Sequence, residues 1–370
     1  MERNVALDYL RILANLSRCL VHAAIPYMVT YAPVWPVNEE GAWFFDFTVF
    51  EIHLFVMELF FLIAGFVFSI QFYKKSFFQL FIDRIKRILI PFIAGLLVLI
   101  PIILSYFFLQ EYAGKINFNI LKNCYFKGWG LATEMLYPTA HLWFLYYLIF
   151  FYVFTICLSK YSEKLRLISI KKLLFYSTLI SSLCMFFMPR WIVDNPLTLK
   201  PEIPSLIHYY LFFTLGFIIQ KSKNQLNEIN IHSKKWLTTG FLSAVIAIIP
   251  QLYFEQNNHE YYNLIKVTAI LLYCISSYLI VFGLWGAFHN YSFKESKLLK
   301  YATDSSYWVY IINMPLVAAI QILLISLKIS IFLKFLISFI TALCLSILSY
   351  EYLVRYTILG QLINRKRSRK

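Results

Sequence analysis

The sequence has few charged residues and lacks the motifs of a soluble nucleotide-binding enzyme. Only 14% of its 370 residues are Asp, Glu, Lys or Arg, whereas 60% are hydrophobic and the mean hydropathy is +0.66. Ordinary soluble domains carry about 25% charged residues, so the composition excludes that class. No glycine-rich phosphate loop, clear internal repeat or low-complexity linker is visible. The sequence therefore predicts one membrane domain comprising residues 1–370, with its longest outer loop near residues 110–140.

Cysteine is also scarce, and its spacing does not suit a metal site. The chain has six cysteines and no Cys-x-x-Cys pair. Cys124 falls in a predicted outer loop, and the others fall in predicted membrane spans: Cys19, Cys157, Cys184, Cys274 and Cys344. The sequence predicts neither a structural disulfide nor a bound metal.

Long apolar runs are abundant. A bilayer core of roughly 30 Å needs about 20 mostly apolar residues per helix. Approximate runs of this kind occupy residues 6–28, 49–73, 88–109, 141–158, 173–188, 205–220, 236–253, 264–288, 307–327 and 332–354. We therefore predict an all-α polytopic membrane bundle with about ten transmembrane helices. The first run is too long and too polar for a cleavable signal peptide.

The distribution of basic residues predicts the orientation of the bundle. If the N-terminus is cytoplasmic, 24 of the 34 Lys and Arg residues fall in inner segments, seven fall in outer segments and three fall inside spans. Basic loops stay on the cytoplasmic side, so both termini are predicted to be cytoplasmic. The net charge of +15 is then a topology signal, and we expect no nucleic-acid partner.

The first apolar run carries five polar residues: Asp8, Arg11, Asn15, Arg18 and His22. At 100° per residue they occupy an arc of about 80° on one helix face. Charged groups at bilayer depth cost on the order of 2.5–3.5 kcal/mol each, so this face must meet protein or a watery cavity. One interpretation is an Asp8–Arg11 ion pair with helix contacts above it. The other is a continuous polar passage whose outer half holds His22 as a general base.

The second run supplies two further candidates, Glu58 and His53. Glu58 is the deeper carboxylate, and it is placed either to neutralise Arg18 or to orient a catalytic histidine. His53, near the outer end, is the weaker candidate because a lone interfacial histidine is often structural.

Two other segments contain candidate binding residues. Arg84 and Arg87 are spaced i, i+3 before the third run, and their guanidinium groups suit either the phosphates of a cytosolic cosubstrate or lipid headgroups. His141 and Trp143 open the fourth run at the outer boundary, where an aromatic face can stack on a sugar ring and a histidine can lie near His22.

Five segments together resemble acyltransferase family 3, whose integral membrane enzymes acylate sugars at the cell envelope. They are "LDYLRILANLSRCLVH", with Arg11 and His22 in an Arg-x10-His spacing, "IHLFVMELFFLIAGF", "RIKR", "HLWFLYYL" and "DSSYWVYIINMPLV". In order, they extend over nearly the whole chain. The sequence looks most similar to the glucan biosynthesis protein C branch of that family.

The resemblance implies a membrane O-acyltransferase that uses cytosolic acyl-CoA and acylates a hydroxyl of an extracytoplasmic saccharide. It implies a bacterial cytoplasmic (inner) membrane location, with membrane lipid, acyl-CoA and the saccharide as partners and no metal. Acetyl and succinyl groups both remain open, as do the acceptor and the oligomeric state. By position, His22 and Arg11 become the catalytic pair, and Arg84 and Arg87 become donor-side residues together with Arg11.

One position departs from the family pattern. Relatives often carry a histidine before the proline of the ninth run, where this chain has Asn313 and Met314. Tyr310 and Asn313 remain polar groups at i, i+3 that we expect to line the passage.

The expected mechanism has His22 as general base, oriented by a carboxylate such as Glu58, and Arg18 one turn below stabilising the oxyanion. The alternative is a polytopic transporter or flippase that uses the same polar path. Inverted repeats or broken helices would favour transport, and the sequence indicates neither. A purely structural or sensory protein would leave the charges of the first run unexplained.

Overall fold

The computed structural model describes residues 4–30, 32–135, 138–193, 195–255 and 260–363. It is 80% helical and has no strand in the described residues. Seven helical stretches of this part are long and apolar enough to cross a membrane: Trp43–Phe72, Phe77–Tyr112, Ala140–Tyr161, Lys223–Leu252, Tyr262–Asn290, Lys297–Leu324 and Ile331–Val354. The protein is therefore an all-helical integral membrane protein, and the expected number of about ten spans remains a prediction.

The longest connections between consecutive helices are residues 25–42 and 187–202. The helices are α1 (Val5–Ala24), α2 (Trp43–His53), α3 (Val56–Phe72), α4 (Phe77–Arg84), α5 (Ile90–Leu109), α6 (Phe118–Glu134), α7 (Trp143–Leu165), α8 (Ile170–Phe186), α9 (Ile203–Ile219), α10 (Lys223–Phe254), α11 (Tyr262–Asn290), α12 (Lys297–Leu324), α13 (Ile331–Ser349) and α14 (Ile358–Ile363). A helix lies at each of the ten predicted runs. Those outside the seven stretches are α1, which carries three charged residues, and the 17-residue helices α8 and α9.

The polar helix α1 lies inside the bundle. It packs against α2, α3, α11, α12 and α13, and Leu10, Ala14, Ala23 and Ala24 are fully buried along it. Surrounding helices thus enclose the charged side chains of Asp8 and Arg18, as the cost of exposing charge to hydrocarbon requires.

The predicted outer loop near residues 110–140 contains the helix α6, which folds back against α5. Gly128 permits the close contact, because a Cβ atom there would lie 2.3 Å from the carbonyl oxygen of Pro101. The sequence suggested an open loop since Lys122 and Lys127 on the exposed side dilute its hydrophobicity. The packed helix places Leu131, near its C-terminal end, against the cavity described below.

Two glycines allow α3 and α9 to touch through their backbones. A Cβ atom on Gly65 would lie 1.9 Å from the carbonyl oxygen of Phe213, and one on Gly216 would lie 2.0 Å from that of Leu62. Close backbone approach through small residues is a common way to pack membrane helices. This contact fixes α9 against α3, which contributes Val56 and Met57 to the cavity described below.

Replacing Gly65 with alanine is expected to destabilise the protein by about 1–3 kcal/mol, because backbone atoms cannot move aside as a flexible side chain can. The midpoint of thermal unfolding in detergent measures the effect. Gly130→Ala is the matched control, since a Cβ atom there meets nothing within 4 Å. Equal midpoints for the two variants would contradict the proposed contact.

Candidate active site

A cavity of about 310 Å³ lies against the C-terminal half of α1. Its titratable lining residues are Arg18, His22, His53 and His141, all of them candidates from the sequence. Most of the remaining wall is apolar. The helix α5 contributes Ile100, Ile103, Leu104 and Phe107, and α6 contributes Leu131. Three imidazoles and one guanidinium therefore share a largely hydrophobic chamber, where electrostatic interactions are stronger than in water.

The chamber lies at the end of the bundle where α1 terminates. Connecting segments contribute Pro33, Val34 and Trp35 on one side and Asn195 and Thr198 on the other. Val34 is about half exposed. The predicted orientation makes this the outer end of the protein.

His22 is buried, and its Nδ1 atom has no hydrogen-bond partner. The amide of Asn313 in α12 lies within hydrogen-bonding reach of this imidazole, but the contact lacks the geometry of an ordinary hydrogen bond. Buried polar atoms are nearly always paired. The Nδ1 atom of His22, on a residue of the cavity wall, is thus available to a hydroxyl group.

Arg18 is a buried cation with weak partners. Its Nη1 atom lies 2.6 Å from the sulfur of Met57 and its Nη2 atom 3.4 Å from the carbonyl oxygen of His141. The guanidinium carbon lies 5.2 Å from the centre of the Tyr310 ring, and Nε is unpaired. Among the described residues, no carboxylate forms an ion pair with it. A buried charge is costly unless paired, so this arrangement favours binding of an anion.

Hydrogen bonds to backbone carbonyl groups fix both the imidazole of His141 and the turn that precedes it. Its Nε2 atom donates to the carbonyl oxygen of Ile311 at 2.8 Å, which leaves Nδ1 as a buried, unpartnered acceptor. The preceding residue, Ala140, has φ of 41°, a left-handed conformation that is uncommon for a residue with a side chain. Thr139 holds this turn through a 2.8 Å hydrogen bond from its hydroxyl to the carbonyl oxygen of Pro196.

His53 and Trp143, two other sequence candidates, also line the cavity. The Nδ1 atom of His53 donates to the carbonyl oxygen of Val49 at 2.8 Å, so Nε2 is its remaining acceptor. Trp143 is almost fully buried and therefore offers little ring surface to a sugar. Trp35 was not among the candidates from the sequence. Its indole lies beside the imidazole of His22, and the two ring centroids are 5.6 Å apart.

The two sequence hypotheses expected Glu58 to pair with Arg18 or with His22. In the structure it pairs with neither of them. Its Oε1 atom lies 3.2 Å from Nε2 of His208, and both side chains are fully buried between α3 and α9. His208 was missed, although a titratable residue within an apolar run is itself a signal. The contact joins residues 150 positions apart, and no local spacing could have revealed it.

Arg84 and Arg87 do not form the α-helical i, i+3 pair that their spacing predicted. A π-helical turn, Ile85–Leu89, follows Arg84 directly and contains Arg87, and its wider winding removes the common face of an α-helix. Arg84 contacts Gln71 and donates to the hydroxyl of Tyr152 at 3.2 Å. The carbonyl oxygen of Arg87 accepts from the hydroxyl of Tyr307 at 2.7 Å.

Arg11 lies far from the cavity. Its side chain is 32% exposed, and its Nη1 atom lies 3.8 Å from the Oδ1 atom of Asp8. This contact agrees with the Asp8–Arg11 ion pair of the first sequence interpretation. Because α1 is continuous between Arg11 and His22, about 16 Å separates the two residues along the axis. Arg11 therefore cannot touch atoms that react at His22.

The continuous passage that the sequence predicted is interrupted in the described structure. The cavity is lined neither by Arg11 nor by the Arg84–Arg87 segment, and α12 contributes Met314 to its wall rather than Tyr310 or Asn313. The Tyr310 ring faces Arg18, and its hydroxyl donates to the carbonyl oxygen of His141 at 2.6 Å. These contacts fill the space between α1, α12 and the turn before α7, and separate the chamber from the other half of the bundle.

Comparison with known proteins gives one match. The model of a family described as "Acyltransferase domain" matches residues 4–351, which include all helices from α1 to α13. No curated protein and no solved structure matches the chain.

Proposed function

Because the chain belongs to this acyltransferase family, we propose that it is a membrane O-acyltransferase that moves an acyl group from acyl-CoA to a hydroxyl of an extracytoplasmic saccharide. The family and the apolar helices support a membrane acyltransferase in general. The donor, the acceptor, the catalytic residues and the bacterial cytoplasmic membrane are the proposed details.

One observation carries the choice of site: the cation of Arg18 is buried on the wall of the same cavity as His22, one helical turn away, and no carboxylate of the described residues pairs with it. Acyl transfer produces a tetrahedral intermediate with a negatively charged oxygen. A pre-placed cation in a water-poor chamber stabilises such a charge strongly. Arg18 is therefore suited to an anion that exists only during the reaction.

His22 acts as general base in this mechanism. Its unpaired ring nitrogen takes the proton from the acceptor hydroxyl as that oxygen attacks the thioester carbonyl carbon. The carbonyl oxygen becomes an oxyanion beside Arg18. When the intermediate collapses, the carbon–sulfur bond breaks, and the CoA sulfur leaves with the proton that His22 had taken.

The donor must enter from the other end of the bundle. The guanidinium groups of Arg84, Arg87 and Arg11 are the proposed contacts for its phosphates. The Nε atom of Arg84 is buried and unpartnered, which leaves it a donor to offer. For the thioester to reach the cavity, the Tyr310–Arg18 contact has to open. The acceptor then meets it between His22, His53, His141 and the two tryptophans.

The protein of residues 1–370 in detergent, incubated with radiolabelled acetyl-CoA or succinyl-CoA and a short glucose oligosaccharide, tests the proposal. We expect release of free CoA thiol and transfer of label to the oligosaccharide with one of the two donors. Heat-denatured protein is the control. Thiol release no faster than with this control, for both donors and with or without the oligosaccharide, would refute acyl-CoA-dependent transfer.

One structural feature favours the transporter or flippase as a second candidate. The second predicted run is broken at Leu54 and Phe55, between α2 and α3 and directly beside the cavity residues His53 and Met57. Broken helices often form substrate sites in transporters. Flux of a labelled oligosaccharide into liposomes containing the protein, unaffected by acyl-CoA, would favour this function over acyl transfer.

A further inference from the structure

Pro26 leaves a backbone carbonyl group at the end of α1 without its helical hydrogen-bond donor. Proline has no N–H group, so the carbonyl oxygen four residues earlier, that of His22, loses its α-helical donor. The chain continues from Ala24 as a 3₁₀ turn, Ile25–Tyr27. A buried carbonyl without a donor would be costly, and the helix end that presents the imidazole would be loosely held.

Gln321 of α12 supplies the missing donor. Its Nε2 atom lies 3.2 Å from the carbonyl oxygens of both His22 and Ala23. The side chain is fully buried, and 299 positions separate it from His22 in the chain. Gln321 thereby fixes the backbone from which the imidazole projects.

The other end of the same amide holds Trp35. The indole Nε1 atom donates to the Oε1 atom of Gln321 at 2.8 Å, and the indole ring lies beside the imidazole of His22. Trp35 lines the cavity, whereas Gln321 does not. The Gln321 amide therefore links the C-terminal end of α1, which carries His22, to the indole of Trp35 beside that imidazole.

We propose that Gln321 is a positioning residue for acyl transfer, which fixes the positions of His22 and Trp35 relative to the acceptor hydroxyl. The proposal rests on the function proposed above. Gln321 touches no substrate and acts through its two neighbours. Small displacements of a catalytic group can cost up to about 10²-fold in rate, so a single amide that fixes both groups controls the turnover number.

The connection between α1 and α2 makes the effect local. The carboxylate of Asp46 accepts from the backbone nitrogen of Val29 at 2.7 Å and from that of Thr30 at 2.9 Å. The backbone nitrogen of Ala42 donates to the carbonyl oxygen of Tyr27 at 2.9 Å. These bonds are independent of Gln321. Loss of the Gln321 amide should therefore increase the mobility mainly of residues 32–38, the part of the connection around Trp35.

Gln321→Met tests the proposal, because methionine keeps the length and removes both hydrogen-bonding functions. In the acetyl-CoA and glucose oligosaccharide assay we expect kcat to fall by about 10-fold and amide hydrogen exchange to rise in residues 32–38. Trp35→Phe keeps a ring and removes one arm of the link, so it should raise KM for the oligosaccharide several-fold and raise amide hydrogen exchange in residues 32–38.

Gln225→Met is the matched control. Gln225 is also a buried glutamine whose Nε2 atom donates to backbone carbonyls, among them that of Ile168 at 2.8 Å, but it does not line the cavity. It should lose thermal stability without a change in kcat or in exchange of residues 32–38.

Equal kcat for Gln321→Met and wild type, or an equal fall in kcat for the Gln225 control, would overturn the positioning role. If the wild-type protein shows no transfer, the proposed function fails. Hydrogen exchange of residues 32–38 still decides the link in that case: exchange that is unchanged in Gln321→Met and in Trp35→Phe refutes it.

Discussion

His22→Ala is expected to lower kcat for acyl transfer by about 10²–10⁴-fold, the usual contribution of a positioned general base. The fold should survive, since the imidazole Nδ1 atom has no partner that would be left unpaired. Release of CoA thiol measures the rate, and thermal unfolding in detergent measures the stability of the same preparation.

His232→Ala is the control for this substitution. His232 lies on α10, its Nδ1 atom donates to the carbonyl oxygen of Glu228 at 3.0 Å, and its ring stacks on Trp236. It is not a lining residue of the cavity, so its loss should leave kcat unchanged. A His22→Ala enzyme with kcat within about threefold of wild type would assign the base elsewhere. His141 and His53 each keep an acceptor nitrogen in the same chamber.

Arg18→Met is expected to lower kcat by about 10²–10³-fold, the typical cost of removing an oxyanion-stabilising donor. KM for the acceptor should change little, because the charge that Arg18 stabilises is absent from the ground state. Stability should be equal or higher, because the substitution removes a buried cation that has no carboxylate partner among the described residues. Arg18→Lys should restore activity only in part, since an ammonium group lacks the planar fork of guanidinium.

Arg166→Met is the control for Arg18→Met. Its expected effects on stability and on kcat are the reverse. Arg166 pairs with Glu163 and donates to the hydroxyl of Tyr73 at 2.8 Å. These contacts raise the pKa of its guanidinium above the ordinary value despite the desolvation that opposes them. Its loss should reduce stability and leave the kcat of the folded protein unchanged. Loss of stability in Arg18→Met without loss of kcat would show that Arg18 is structural.

The polar face of α1 was predictable from the sequence because helical spacing is a local property. Asp8, Asn15, Arg18 and His22 fall on one side of an ideal helix, and all four are buried, whereas Leu16 between them is 39% exposed. Composition likewise predicted a helical membrane protein. The resemblance predicted the acyltransferase family, which the family match confirmed. The roles of the individual residues remain predictions.

Which groups the protein brings next to that face was decided by the tertiary structure. His208 on Glu58, Tyr310 on Arg18 and Gln321 on the backbone of His22 each join segments more than 100 residues apart. The π-helical turn that follows Arg84 and contains Arg87 likewise changed a spacing that looked regular.

The physical reason for this division is the range of the interactions. Periodicity and hydrophobicity act within a few turns of helix, so the sequence alone determined that α1 must be enclosed and which of its residues face inward. Pairing of buried polar groups depends on which distant helix arrives beside them. Only the packed bundle decided that Arg18 lacks a carboxylate partner among the described residues, and that Gln321 holds the end of α1.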